Sequence, residues 1–174
     1  VPFWAKDLKV GARMINAVGE TASAKPAFRA AFKKRRCLVL ANGFYEWRKE
    51  GKLKIPTYIY PRNGDPMAFA GLWETWQSPE GQVIRSCTII TTVANPFIQP
   101  VHHRMPVILS GETQALWLDP LTEDREILEP LLIPAPADLL TSHPVSDTVN
   151  SARNRGPGCI LPLTGHPTDG RLFP

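Results

Sequence analysis

The feature that most restricts the fold is a run of short β-branched or aromatic stretches cut apart by turn-forming residues. "PTYIY", "MAFAGLW" and "VIRSCTIITT" are separated by "RNGD" and "SPEGQ". Runs of this length and punctuation read as strands. "CLVLA" and "GFYEW" flank Asn42-Gly43, a pair suited to a turn. "ETQALWL", entered from Ser110 as N-cap, and "EDREILEPLL" read as helices. Strands outnumber helices and no regular βα alternation occurs. The expectation is one α+β domain over residues 1–174, a curved antiparallel sheet or open β-barrel with flanking helices.

Composition enters where it excludes alternatives. With 174 residues, 43% hydrophobic and 9% aromatic, the chain can bury a core and is not of the disordered class. No apolar run approaches the roughly 20 residues of a membrane helix, so no membrane partner is expected. Cys37, Cys87 and Cys159 are odd in number and lack a CxxC pair. That predicts no disulfide framework, no metal site and a reducing, cytoplasmic setting. The sequence opens at Val1 in mid-phrase, "VPFWAKD", and reads like the interior of a longer protein.

A net charge of +4 leans towards an anionic partner. "KPAFRAAFKKRR", residues 25–36, carries six cations and no anion. As a helix it places Phe28 and Phe32 on one face and Lys25, Arg29, Lys33 and Arg36 along another. This basic ridge is either a solvated face or a contact for a phosphate backbone.

Glu46 lies in "GFYEW" among large apolar residues. Strand alternation puts Phe44 and Glu46 on one face. A carboxylate there is either partly desolvated, with a raised pKa suited to proton transfer, or at a sheet edge facing water. Asn16, after the apolar pair Met14-Ile15, reads alone as a turn or capping residue. His102 and His103 in "PVHHRMPVIL" have no metal spacing. Beside Arg104 they are either a phosphate-binding group or one structural and one exposed histidine.

Taken in order, "INA..ET", "KPAFRAAF..RRC", "GFYEW", "AGLW", "TIITT.AN", "H.RMPVIL" and "HPVS" resemble the SRAP family of SOS response-associated peptidases and abasic-site shielding proteins. The resemblance covers nearly the whole chain. It implies a protein that senses abasic sites in single-stranded DNA and at junctions with duplex. In the family, an N-terminal cysteine exposed by autocatalytic removal of the initiator Met closes a thiazolidine ring on the abasic aldehyde. The product is a covalent DNA–protein crosslink.

By position, Asn16 matches the asparagine that helps place the cysteine and sugar. Glu46 matches the glutamate of proton transfer, and His102 the histidine beside the abasic sugar. Arg104 matches the phosphate-binding arginine. Thr91, Lys25 and Arg29 are expected to add phosphate contacts and Trp4 a stacking surface. His102 and Arg104 are expected on one face of a strand, with His103 pointing away. Neither cofactor nor metal is implied. The expected state is a monomer in the cytoplasm, associated with the nucleoid when bound to DNA.

Val18 stands where the family has arginine, which removes a phosphate contact; Asn42 and His103 replace acidic positions. The nucleophile's position is expected upstream of Val1. Cys37, Cys87 and Cys159 all read as structural. Two other functions compete: a non-catalytic single-stranded DNA-binding module, and a cysteine peptidase acting on other proteins.

Overall fold

The computed structural model describes residues 1–163; the end of the expected 1–174 domain lies outside the described residues. Its strands are β1 (Asn16–Val18), β2 (Arg36–Ala41), β3 (Phe44–Glu50), β4 (Leu53–Pro61), β5 (Met67–Gln77), β6 (Val83–Val93), β7 (Arg104–Pro106) and β8 (Leu140–Pro144). Short helices intervene: α1 (Lys9–Ala12), α2 (Gly19–Ala22), α3 (Arg29–Lys34), α4 (Gly111–Leu118) and α5 (Arg125–Leu128). The chain divides into two units. The first comprises Val1–Leu40, Ala68–Val93 and Pro106–Ala135; the second comprises Ala41–Met67, Ala94–Met105 and Pro136–Pro174. The architecture is the expected α+β class, with open sheets and few helices.

In the first unit the sheet order is β1-β6-β5-β2. β5 and β6 are antiparallel, with Gly71 opposite Ile89 and Gln77 opposite Val83. β1 joins β6 in parallel, a departure from the purely antiparallel expectation. Behind the sheet, Phe32 meets Trp117 edge-on at 5.6 Å, among fully buried Leu72, Ile90, Val107 and Leu128. Each such side chain contributes about 1.5–3 kcal/mol on leaving water.

Two helical expectations are corrected here. The helix expected over residues 25–36 is only Arg29–Lys34, because Arg35 leaves helical geometry at φ −132° and Arg36 begins β2. Arg36 is therefore not part of a basic ridge. It is buried, with its guanidinium donating to the backbone carbonyls of Phe32, Lys33, Trp117 and Asp119. Five donors in a rigid fork can satisfy several carbonyls at once, which a count of charged positions does not reveal. The helix read over "EDREILEPLL" shrinks to α5, followed by a 3-10 turn over Glu129–Leu131 that contains Pro130. Asp124 caps α5 by accepting from the Glu126 amide.

The second unit holds the sheet β3-β4-β8, antiparallel throughout, with β3 at an edge. β3 and β4 form a hairpin closed by Gly51-Lys52, where Gly51 takes the left-handed conformation at φ +58°. Asn42-Gly43 does not make a hairpin, since β2 and β3 belong to different sheets. Gly43 is required for space instead. A Cβ there would lie 2.4 Å from the Tyr58 ring. Tyr58 is buried and ringed by Tyr45, Tyr60 and His143, with centroids 5.4, 5.3 and 5.8 Å away.

Candidate functional site

In the second unit, β3 and a turn-rich loop bring Glu46 and His102 together. Glu46 sits in mid-strand opposite Thr57 of β4. Its side chain is 24% exposed, and its Oε1 lies 3.8 Å from Nδ1 of His102, which is 40% exposed. Burial pushes the Glu46 carboxyl above the usual range, while His102, the Trp47 amide and His103 pull it part of the way back. Of the two readings open for Glu46, the partly desolvated one describes it.

His102 is placed by its own loop. The buried Asn95 accepts the Ile98 amide on its side-chain oxygen at 2.9 Å, and its carbonyl accepts from Gln99. The amides of Val101 and His102 both return to the Ile98 carbonyl, over the fully buried Ile98 side chain. The Ala94 amide donates to His103 O at 3.1 Å and ties the two ends of the loop together. Nδ1 of His102 lies 3.0 Å from the Arg104 amide nitrogen and 2.9 Å from the Arg104 carbonyl oxygen. As a neutral acceptor it takes the amide proton; when protonated it donates to the carbonyl and faces the Glu46 carboxylate. A carboxyl held towards its neutral form beside an imidazole can both give and take a proton.

His103 does not point away. Both histidines precede β7, so strand alternation does not govern them. Their rings lie 4.5 Å apart, tilted by 33°, and both line a cavity of about 730 Å³. Glu46, Trp47, Lys49, Lys54, Gln99 and Asn150 complete most of its wall. Trp47 is fixed there by its indole N–H, which donates to Asn150 Oδ1 at 2.7 Å. Asn95, Trp47, Asn150 and the two lysines were missed as site residues. The "AN" and "VNSARN" stretches were visible in the sequence, but what Asn95 and Asn150 hold depends on contacts distant along the chain.

Arg104, half-buried at the start of β7, contributes its backbone to the setting of His102. The other expected site residues belong to the first unit. Asn16 is exposed at the head of β1, opposite Ile89, and Thr91 lies on β6 opposite Val18. The Thr91 hydroxyl donates to Ala17 O at 3.3 Å. Trp4 is 48% exposed; Lys25 and Arg29 are exposed before and at the start of α3. Burial pushes the Cys37 thiol up to about 11, which keeps it from acting as a thiolate at neutral pH. Cys87, expected to be structural, is exposed.

A family model described as SOS response associated peptidase (SRAP) matches residues 1–152, which run through segments of both units. The abasic site processing protein YoqW of Bacillus subtilis (strain 168) is 45% identical over 161 residues, 92% of this chain and 72% of that protein. The abasic site processing protein HMCES of Gallus gallus is 34% identical over 191 residues. The match takes in 94% of this chain and 55% of HMCES, so the chain spans about half the length of that relative. A crystal structure from Bacteroides thetaiotaomicron superposes with a TM-score of 0.85 at 29% identity, covering 94% of this chain and 73% of its own.

Proposed function

Because the chain belongs to the SOS response associated peptidase (SRAP) family, we propose that it senses abasic sites in single-stranded DNA and takes part in their covalent capture. The observation that carries the proposal is the Glu46–His102 pair, a carboxyl raised by burial 3.8 Å from an imidazole. An abasic sugar is a closed hemiacetal. Opening it requires a proton delivered to the ring oxygen and another removed from the C1 hydroxyl. Glu46 in its acid form suits the first task and His102 the second. Attack of an amine on the aldehyde then forms a carbinolamine, which loses water when its hydroxyl is protonated. Glu46 serves that step too once it has taken back a proton from the His102 imidazolium 3.8 Å away.

Closing a thiazolidine requires an amine and a thiol on one residue. None of Cys37, Cys87 and Cys159 carries a free α-amine, so these thiols do not satisfy it. In this reading residues 1–174 supply proton transfer and strand binding, and an N-terminal cysteine released by removal of the initiator Met supplies the aminothiol. Asn16 positions the reactants, Arg104, Thr91, Lys25 and Arg29 hold phosphates, and Trp4 stacks on an unpaired base. The chain acts as a monomer without a cofactor, in the cytoplasm and on the nucleoid when DNA is bound.

The test incubates abasic single-stranded DNA with residues 1–174 and, separately, with the protein bearing an N-terminal cysteine, and resolves both on a denaturing gel. A heat-stable adduct is expected only with the N-terminal cysteine, and Glu46→Gln should slow its formation. An adduct from residues 1–174 alone, or from neither protein, overturns the proposal.

A further inference from the structure

Lys49 and Lys54 stand directly opposite each other across the β3–β4 hairpin. Like charges in facing positions of an antiparallel pair destabilise it. Neither lysine has a carboxylate partner among the described residues; the nearby Glu50 is taken by Arg48 at 2.7 Å. Both lysines are exposed, and both line the cavity that holds Glu46, His102 and His103. That wall carries two ammonium groups against one carboxylate, a surplus that grows when either histidine is protonated.

We infer that Lys49 and Lys54 form an anion subsite that grips a backbone phosphate of the DNA strand next to the nucleotide whose sugar meets Glu46 and His102. The inference rests on the abasic-site reading above and adds a residue pair that none of the motifs in the sequence singles out. A phosphodiester placed between the two ammonium groups turns their mutual repulsion into two attractions. The indole of Trp47, fixed by Asn150, lines the same cavity as the carboxylate and the two lysines. The subsite therefore holds the strand while the acid–base pair acts on the sugar.

The experiment measures the affinity of the full chain for a single-stranded oligonucleotide with one abasic-site analogue, as a function of salt. Each phosphate contact on a single strand adds about 0.7 to the slope of log affinity against log salt. The double variant Lys49→Gln/Lys54→Gln, which gives up the one phosphate held between the two ammonium groups, should lower that slope by about 0.7. Lys52→Gln, in the exposed hairpin turn outside the cavity wall, should lower it by much less. An oligonucleotide with a neutral methylphosphonate beside the abasic position should erase the difference between wild type and the double variant, a readout that needs no altered fold. If the wild type binds and the double variant keeps its slope, or if Lys52→Gln matches the double variant, the subsite is refuted alone. If the wild type does not bind the oligonucleotide, the abasic-site reading falls and the subsite with it.

Discussion

Gly43→Ala tests whether the frame beneath the site is as tightly filled as the distances indicate. The added Cβ would lie 2.4 Å from Cε2 and Cζ of Tyr58 and 2.5 Å from its hydroxyl oxygen. Ordinary contacts of this kind begin near 3.4 Å, so the ring or the strand must move by about 1 Å. Tyr58 has little room to yield, since Tyr60 stacks on it at 5.3 Å and Tyr45 and His143 close the other sides. Overpacking in such surroundings costs about 2–3 kcal/mol. An opposing effect must be subtracted. Gly43 is not in the left-handed region, so alanine fits its backbone and reduces the freedom of the unfolded chain, worth about 0.4–1 kcal/mol. The clash wins by about 1–2.5 kcal/mol, and the melting temperature should fall by about 3–8 °C. Differential scanning calorimetry reads the shift. In the Tyr58→Ala background the same substitution should cost nothing. A Gly43→Ala protein that melts with the wild type, or a penalty that persists without the Tyr58 ring, would refute the steric account.

Glu46→Gln should have a pH-dependent effect on stability. Burial raises the folded carboxyl above its unfolded value, so ionisation opposes folding and stability is lost as pH rises through the raised pKa. The melting temperature of Glu46→Gln relative to wild type should therefore climb as pH rises from the unfolded carboxyl's range through the raised folded pKa, and a flat difference would contradict the burial argument. In His103→Ala the Glu46 carboxyl should titrate still higher, because His103 holds it down, and carbon-13 NMR of labelled glutamate reads the change. Arg36→Met should destabilise by about 2–4 kcal/mol in urea melts, as several buried carbonyls lose their donor. Lys33→Met, on the exposed side of α3, should stay within about 0.5 kcal/mol of wild type.

The strand-rich architecture was legible because β-branched runs and Gly, Asn and Asp turns are local signals. "PTYIY", "MAFAGLW" and "VIRSCTIITT" all fall inside strands. The illegible parts are those where a residue's task lies far along the chain. Asn42-Gly43 carries a hairpin signature, yet its glycine answers to the Tyr58 ring, while the hairpin turns at Gly51. Arg36 has the spacing of a surface cation, but the carbonyls that draw it inward include those of Trp117 and Asp119. At the site, the aromatic company of Glu46 left partial burial and an edge facing water both open, and its 24% exposure answers to the first although β3 is an edge strand. Strand alternation does not set the orientation of His103, because the backbone there is a loop that precedes β7. Lys49 and Lys54 passed unnoticed, since their significance appears only with the hairpin register.

The loop that carries the histidines closes on itself through Ala94 and His103, and its inner amides return to Asn95 and Ile98. Such a segment behaves as a self-contained cassette. Exchange with deuterium at the Ile98, Gln99, Val101 and His102 amides should then proceed in one concerted opening, with a common protection factor. For protein engineering, the cassette is a natural unit of transplantation. Residues 94–104 carry their own anchoring asparagine, apolar plug and the Arg104 backbone that holds the His102 ring, so a grafted copy would bring the imidazole pair already braced.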